Sequence, residues 1–343
     1  MKRVLLMAVL SISSFSTAAA AETSTTPVAE NMTKAATQFL AALAPGQRQK
    51  VERAFDDPAR QDWHNIPKPT RKGLQVRDMS AEQRKICHEL LQSALSAEGY
   101  AKAVKIMSLE SNLKVGEKGT GPLRDPQRYF LTIFGKPDPK GPWGWSFEGH
   151  HLSLNFVIRD GRVVADSPNF WGANPATVHS FVAGGPDEGT RTLANEEQLA
   201  LDLVNSFTPA QRSKAVIAPK SPADYRAAGQ PAPPKRVAER LPATELTGQQ
   251  QQALLALLAT YCEHLAPALA QERLAEIKAD GWDQVYFAWK GGTKPGVGHY
   301  YRVEGPSFIL ELVNVQTDPA GNPANHIHSV WRNPKGDFGV VRN

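Results

Sequence analysis

Two pairs of neighbouring histidines are the residues of this sequence whose types and spacing point most directly to chemistry. His326 and His328 belong to the run 325–332, whose alternation of polar and apolar residues is typical of a β-strand. Residues two apart on a strand point to the same face, so these two imidazoles would lie side by side. His150 and His151 form the second pair, at the start of another strand-like run far upstream. The sequence therefore predicts a site that brings distant strands together.

Alternation along the strands sorts the remaining side chains by face. Where Leu152, Leu154 and Phe156 form an apolar face, the opposite, polar face carries His151, Ser153 and Asn155. Where Phe308, Leu310 and Leu312 are apolar, the opposite face carries Glu311. A turn at 318–322 separates this strand from the run 325–332, so the two are predicted to pair, with Glu311 as a neighbour of the two histidines.

This arrangement suits a divalent transition metal. His151, His326 and His328 would supply neutral imidazole nitrogens, which bind zinc, copper and iron alike. Glu311 would be a fourth ligand or a general base, and Arg332 would bind an anionic group of the substrate. Spacing alone also allows an ordinary polar network, because histidines on half-buried strands often bond only to backbone groups.

Two further histidines are secondary candidates for the same metal. His150 falls on the apolar face and is predicted to pack behind the ligands, although a one-residue bulge would exchange its role with His151. His299 lies in a neighbouring strand-like segment and is a further candidate ligand.

Other kinds of chemistry find little support in the sequence. No Gly-x-Ser-x-Gly motif, phosphate-binding glycine loop or dinucleotide fingerprint is present. The formal net charge of +5 is spread along the chain without a block of like charges, which argues against nucleic acid and against an anionic membrane. Aromatic residues near the histidine strands could stack on a flat small-molecule or polymer substrate, but core packing is the commoner reason for such residues.

The first 21 residues have the pattern of a secretory signal peptide. Lys2 and Arg3 precede the apolar stretch 4–12, and the small residues 18–21 provide a cleavage site. The apolar stretch is too short for a transmembrane helix. We therefore expect a periplasmic or secreted protein that leaves the membrane after cleavage, with a net charge of +3. Cys87 and Cys262 are the only cysteines, and the sequence leaves open a disulfide or two buried thiols.

The order of predicted elements occurs twice. A helix pair introduced by Ser80 and Gln83 precedes Tyr129-Phe130 and a strand hairpin, and a helix pair introduced by Thr247 and Gln250 precedes Tyr286-Phe287 and a second hairpin. We predict an α+β fold of two tandem repeats, each a helix pair followed by an antiparallel hairpin sheet, packed as one unit. The first repeat would span 22–217, a Pro/Ala-rich crossover 218–245, and the second repeat 246–343.

Three longer motifs resemble those of an exported bacterial family classed as a domain of unknown function. They are Gly-His-His-Leu-Ser at 149–153, Ser-Pro-Asn-Phe-Trp-Gly-Ala-Asn-Pro at 167–175, and Asn-His-Ile-His-Ser-Val-Trp-Arg at 325–332. The resemblance spans nearly the whole mature chain and implies its extent and its export, but no reaction.

Together these features predict an exported metal-dependent enzyme, a hydrolase or an oxidase, with an unidentified substrate. The alternative is a non-catalytic protein that holds a metal ion or a small ligand in the same cleft. An enzyme keeps an open coordination position beside a cavity, whereas a closed four-ligand site favours storage. The sequence does not indicate an oligomeric state.

Overall fold

The computed structural model describes residues 25–237 and 240–341. The predicted signal peptide, residues 1–21, lies outside the described residues. Within them, no helix combines the length and the apolar composition that crossing a bilayer requires.

Eight α-helices are present in the described residues. Two of them begin at the capping residues that the sequence indicated: Ser80 and Gln83 form a reciprocal capping box at the start of α3, and Thr247 and Gln250 form one at the start of α7. In chain order the helices are α1 Thr26–Ala41, α2 Pro45–Val51, α3 Ala81–Ala94, α4 Ala97–Gly116, α5 Ala194–Asn205, α6 Pro209–Ala215, α7 Gly248–Cys262 and α8 Pro267–Asp280.

The strands of the described chain form a single mixed sheet. They are β1 Glu52–Arg53, β2 Leu74–Gln75, β3 Phe130–Phe134, β4 Trp143–Gly149, β5 Leu152–Arg159, β6 Arg162–Ala165, β7 Asn169–Ala173, β8 Val216–Ala218, β9 Leu241–Pro242, β10 Tyr286–Gly291, β11 His299–Glu304, β12 Ile309–Asn314 and β13 Ile327–Arg332. The main path runs β1-β3-β4-β5-β7-β13-β12-β11-β10-β8. The pairs β1–β3 and β8–β10 are parallel, and the other pairs are antiparallel. The α+β class is confirmed.

Local sequence accounts for one turn of the sheet, and the predicted pairing of the histidine strand is confirmed. Asp160 and Gly161 both have positive φ, 51° and 72°, as the two-residue turn between β5 and β6 requires. The histidine strand β13 pairs antiparallel with β12, and Val330 lies opposite Glu311.

The two faces of the sheet are covered differently. Leu152, Leu154 and Phe156 point toward the helices and belong to the main hydrophobic core. The other face is covered by irregular chain, namely the first covering segment (residues 54–73) and the second covering segment (residues 219–237). A second apolar cluster joins these segments to the sheet and contains Trp63, Phe170, Tyr225, Val330 and Phe338. The candidate site lies on this second face.

Cys87 and Cys262 are both free thiols and are completely buried. Burial raises the pKa of each thiol to about 12. Neither is therefore a ready nucleophile at neutral pH.

Candidate metal centre

Three histidine side chains meet where β7 and β13 join the two halves of the sheet. The Nε2 atoms of His151 and His326 are 2.9 Å apart, those of His151 and His328 are 3.2 Å apart, and those of His326 and His328 are 3.0 Å apart. His151 and His328 are buried, and His326 is partly exposed. The structure thus brings together the three residues proposed as primary ligands, from positions more than 170 residues apart.

His151 reaches the cluster through an unusual backbone conformation. It lies in the turn between β4 and β5 with φ of 62°, a left-handed conformation that few L residues adopt. Its N–H donates to the Asn65 carbonyl at 2.9 Å, and its carbonyl accepts from the Gly172 N–H at 2.8 Å. Glycine at 172 leaves room for the ring, because a Cβ there would lie 3.1 Å from His151 Cγ and Cδ2. The first covering segment and β7 therefore fix the direction of this imidazole.

His328 is oriented from the second covering segment. Its Nδ1 lies 2.9 Å from Asp224 Oδ1, so the Nδ1–H donates to the carboxylate and the Nε2 lone pair faces the other two rings. A carboxylate behind a histidine in this way is the usual second layer of a metal site, since it fixes the tautomer and makes the ligand more basic. Phe170 and Tyr225 pack their rings against His328 at centroid distances of 5.5 Å and 6.2 Å.

His326 has an amide as its partner. Asn174 Nδ2 lies 3.2 Å from His326 Nδ1, while Asn174 Oδ1 is buried without a hydrogen-bond partner. The two ends of an amide are assigned from their surroundings. With the amide turned over, Oδ1 accepts from the His326 Nδ1–H, and the Nε2 lone pair becomes free for a metal.

Two of the three imidazoles, those of His151 and His326, are neutral at physiological pH. Burial, reinforced by the charge of His150 and of the other two cluster rings, holds the pKa of His151 well below its usual range. Burial and the neighbouring His328 lower the pKa of His326 to about 3. Neutral imidazole is the form that binds metal, so protons do not compete for these two rings near pH 7.

His150 packs behind the cluster, as its position on the strand predicted. Its ring stacks on that of His151 with a centroid distance of 3.7 Å. Its Nδ1 lies within hydrogen-bond distance of Glu110 and is 3.0 Å from an Arg124 nitrogen. Burial lowers the pKa of His150 and raises that of Glu110 to about 7. His150 thus packs its ring against that of His151 and directs its Nδ1 to Glu110 instead of to the cluster.

His299 lies on the opposite face of the sheet. Its neighbour Tyr300 in β11 points to the same face of the sheet as His328 in β13, so His299 points to the other face. The His299 ring stacks on Trp289 at 5.3 Å, its Nδ1 donates to the Val297 carbonyl at 2.8 Å, and its Nε2 is 3.5 Å from Glu197. The structure does not bring this histidine to the cluster, because a residue of odd number in this strand faces the helices.

Glu311 faces the same side as the cluster but is bound elsewhere. Its carboxylate accepts from Tyr300 Oη at 2.6 Å and from Arg226 Nε at 3.0 Å, and it is completely buried. Arg332 is likewise buried: its Nε pairs with Asp337, and one terminal nitrogen donates to the Gln230 carbonyl at 3.0 Å. Both side chains anchor the second covering segment and the C-terminal residues, so neither is directed at the three histidines.

The family model described as "Protein of unknown function (DUF3500)" matches residues 25–340 of the chain. The chain belongs to this family. Comparison with curated proteins and with solved structures finds no match. The DUF3500 match covers both histidine strands and both covering segments, so all the residues of the candidate centre lie within one family domain.

The sequence interpretation missed the residues that support the ligands. Asp224 lies in the Pro/Ala-rich segment, for which the sequence predicts only a connecting role. Asn174 is the second-last residue of the 167–175 motif, and the sequence predicts no contact for it. Asn65 belongs to the polar loop 62–67, whose composition fits a cover for a site but favours a plain surface connection. Its carbonyl binds His151, and its Oδ1 accepts from Tyr225 Oη at 2.8 Å, which ties the two covering segments of this DUF3500 domain together.

Proposed function

We propose that this protein is a metal-dependent enzyme in which His151, His326 and His328 hold one divalent transition-metal ion. The observation that carries the proposal is the mutual approach of three Nε2 atoms within 2.9–3.2 Å. Three Nε2 atoms at this spacing would repel one another through their lone pairs unless a cation or a proton lay between them. The low pKa values of His151 and His326 argue against the proton.

The size of the nitrogen triangle fits a first-row metal. Nitrogens 2.9–3.2 Å apart are compatible with metal–nitrogen bonds of about 2.0–2.1 Å, and three histidine ligands would leave a coordination position for water or substrate. Three imidazoles without a carboxylate favour zinc or copper over the two-histidine, one-carboxylate pattern of non-haem iron. We place zinc first, since three histidines and a water make a common catalytic zinc site.

The chemistry of such a centre depends on the coordination position that the three histidines leave open. A bound zinc ion lowers the pKa of its water to about 7 and polarises carbonyl or phosphoryl oxygens, which supports hydrolysis. Asp224 would keep His328 in the ligating tautomer, and its carboxylate is about one-third exposed.

One observation favours the alternative of a non-catalytic metal-binding protein. Glu311 is engaged by Arg226 and Tyr300, and Asp224 by His328, so neither carboxylate is free to act as a general base. A storage or transport site needs no such base. Replacement of the metal by cobalt(II) separates the two functions.

We further infer that the chain consists of two copies of one unit and that it is exported. The registers support the duplication: Phe130 lies opposite Glu148 and Glu148 opposite Ser153, and Tyr286 opposite Glu304 and Glu304 opposite Ile309, each 156 residues later. Helices α5 and α6 and strand β8 then correspond to α1, α2 and β1, which would start the second copy upstream of the predicted boundary at 246. The signal-like residues 1–21 support export to the periplasm or outside the cell, where N-terminal sequencing of the mature protein would show cleavage after Ala21.

Elemental analysis of protein purified without chelators tests the metal directly. We expect about one equivalent of zinc or copper in the wild-type protein and nearly none in a His326→Ala, His328→Ala variant. A His179→Ala variant, which removes an exposed histidine outside the three-histidine cluster, should keep its metal. Equal metal content in all three proteins, with circular dichroism showing them folded, would end the ligand assignment.

Cobalt(II) replacement then distinguishes the enzyme from the storage protein. An open coordination position gives a visible spectrum that changes when azide is added, because azide displaces the bound water. A spectrum that azide leaves unchanged would favour the closed, non-catalytic site.

A further inference from the structure

Two adjoining cavities lie at the β3 side of the sheet, next to the first covering segment. They have volumes of about 240 Å³ and 360 Å³ and share Thr70, Arg71 and Lys72. The smaller cavity is lined by Asp62, His64, Lys68, Thr70, Arg71, Lys72 and Glu148. The larger one adds, among others, Lys50, Arg53 and Asp78.

Buried charge at the smaller cavity is not balanced. Glu148 is buried and lies 2.5 Å from Lys72 Nζ and 3.4 Å from an Arg71 nitrogen. The side chains of Lys72 and Arg71 are themselves only 6% and 4% exposed. Two buried cations thus share one carboxylate. A buried charge without a partner is costly, so a counter-ion here would be favourable.

The rest of the lining does not supply that counter-ion. Lys68 and Asp62 approach to 3.9 Å and offset each other. Burial lowers the pKa of His64, which is therefore neutral near pH 7. The three cations and two carboxylates around the smaller cavity leave one positive charge, and Lys50 on the larger cavity adds to it.

The corresponding carboxylate in the other half provides a comparison within the same chain. Glu304 pairs with Arg226 and lies 3.5 Å from Arg302, but Arg226 also binds Glu311. Two arginines there face two buried carboxylates, and the cluster is neutral. The excess charge is specific to the Glu148 side.

Arg71 is held rigidly in place around this charge. Its guanidinium donates to the carbonyls of His64, Ile66 and Gly149, which fixes the first covering segment against the end of β4. Lys72 Nζ also donates to the Asp62 carbonyl. The cations are thus oriented before any ligand arrives, which lowers the entropy lost on binding.

We propose that the smaller cavity is a binding site for one anionic group, a carboxylate or a phosphate, of a small ligand. The anion would lie beside Lys68, Arg71 and Lys72. It would neutralise the positive charge that remains after Glu148 has paired with Arg71 and Lys72. This site does not depend on the three histidines, although the same covering segment contacts His151 through Asn65.

Calorimetric titration of metal-free protein with inorganic phosphate or succinate, at low ionic strength, tests the site. A Thr70→Glu variant places a tethered carboxylate between the two cavities, at an exposed position. We expect it to bind the probe at least about tenfold more weakly than the wild type. We also expect it to melt at a higher temperature, because its own carboxylate supplies the missing charge. Thr70→Gln, with nearly the same shape and no charge, should bind as the wild type does.

Further outcomes separate this site from the proposed metal centre. The His326→Ala, His328→Ala variant should bind phosphate as well as the wild type does. The proposal is overturned if phosphate and succinate bind no better than chloride at equal ionic strength. It is also overturned if Thr70→Glu binds them as tightly as Thr70→Gln. Binding of phosphate but not succinate would identify the ligand group as a phosphate, and the reverse would identify it as a carboxylate.

Discussion

Asp224 shows how much of the candidate centre depends on one side chain outside the three ligands. Its carboxylate fixes the tautomer of His328 from a segment without regular secondary structure. Replacing it with asparagine keeps the shape but removes the charge, and an amide can present its NH₂ instead of its oxygen to Nδ1. The Nε2 lone pair is then no longer reserved for the metal.

For Asp224→Asn we expect metal affinity to fall by about 10–100-fold, the usual cost of losing a partner behind a histidine ligand. Competition with a chromogenic chelator measures the change. Asp187→Asn, at an exposed position in another loop, is the matched control and should bind metal normally. Unchanged affinity in Asp224→Asn would mean that the carboxylate does not act through His328.

At the scale of elements, strand β7 leaves room for the His151 ring because it has glycine at position 172. A Cβ at Gly172 would approach the Ile327 carbonyl to 3.0 Å and two atoms of the His151 ring to 3.1 Å. Because β7 and β13 are paired along residues 169–173, with Gly172 opposite His328, the strands cannot move apart easily. The ring of His151 must therefore shift to accommodate a methyl group.

Gly172→Ala should accordingly weaken metal binding while the helices remain intact. We expect a loss of about tenfold in affinity, equivalent to about 1.4 kcal/mol, since a displaced nitrogen forms a longer bond. Gly46→Ala is the matched control, because nothing lies within 4 Å of a Cβ at that position of α2. If both variants bind metal like the wild type, the His151 ring has more freedom than its contacts indicate.

At the scale of the molecule, the pairing of β7 with β13 makes one sheet of two halves. Leu154 in β5 and Leu310 in β12 lie on either side of this pairing, and both are completely buried. Truncating either to alanine removes apolar contacts and leaves a cavity, which costs about 2–5 kcal/mol. We expect each variant to lower the midpoint of a single transition.

Thermal unfolding followed by far-ultraviolet circular dichroism and by tryptophan fluorescence checks this expectation. The two signals should coincide in the wild type and in both variants, because one continuous hydrophobic core spans both parts of the sheet. Two separate transitions, with each variant moving only one of them, would show that the halves fold independently.

Periodic segments were the part of the fold that could be predicted from sequence. The alternation around Leu152 and around Phe308 correctly separated the core face from the polar face, and Ser80 and Thr247 marked the helix starts. These patterns depend on the local geometry of strands and helices, so they are readable in the sequence itself. The approach of His151 to His326 and His328 followed from them once two strands were assumed to meet.

The partners from irregular chain could not be predicted in this way. Asp224 and Arg226 lie in a segment without periodicity, so nothing in the sequence shows that one side chain would reach His328 and the other would occupy Glu311. The position of His299 depends on the register of β11, where a shift of one residue exchanges the two faces. Registers and loop paths are set by tertiary packing, which a single sequence does not reveal.

The left-handed backbone of His151 has a consequence for how this protein could change. An L residue in that conformation costs roughly 1–2 kcal/mol relative to glycine, so folding alone would favour glycine at position 151. At position 151, glycine would give the higher stability of the fold, whereas only histidine supplies the imidazole. A homologue that does not need the imidazole would gain stability by replacing His151 with glycine. A homologue that keeps histidine there retains a strained turn because the ring nitrogen is required.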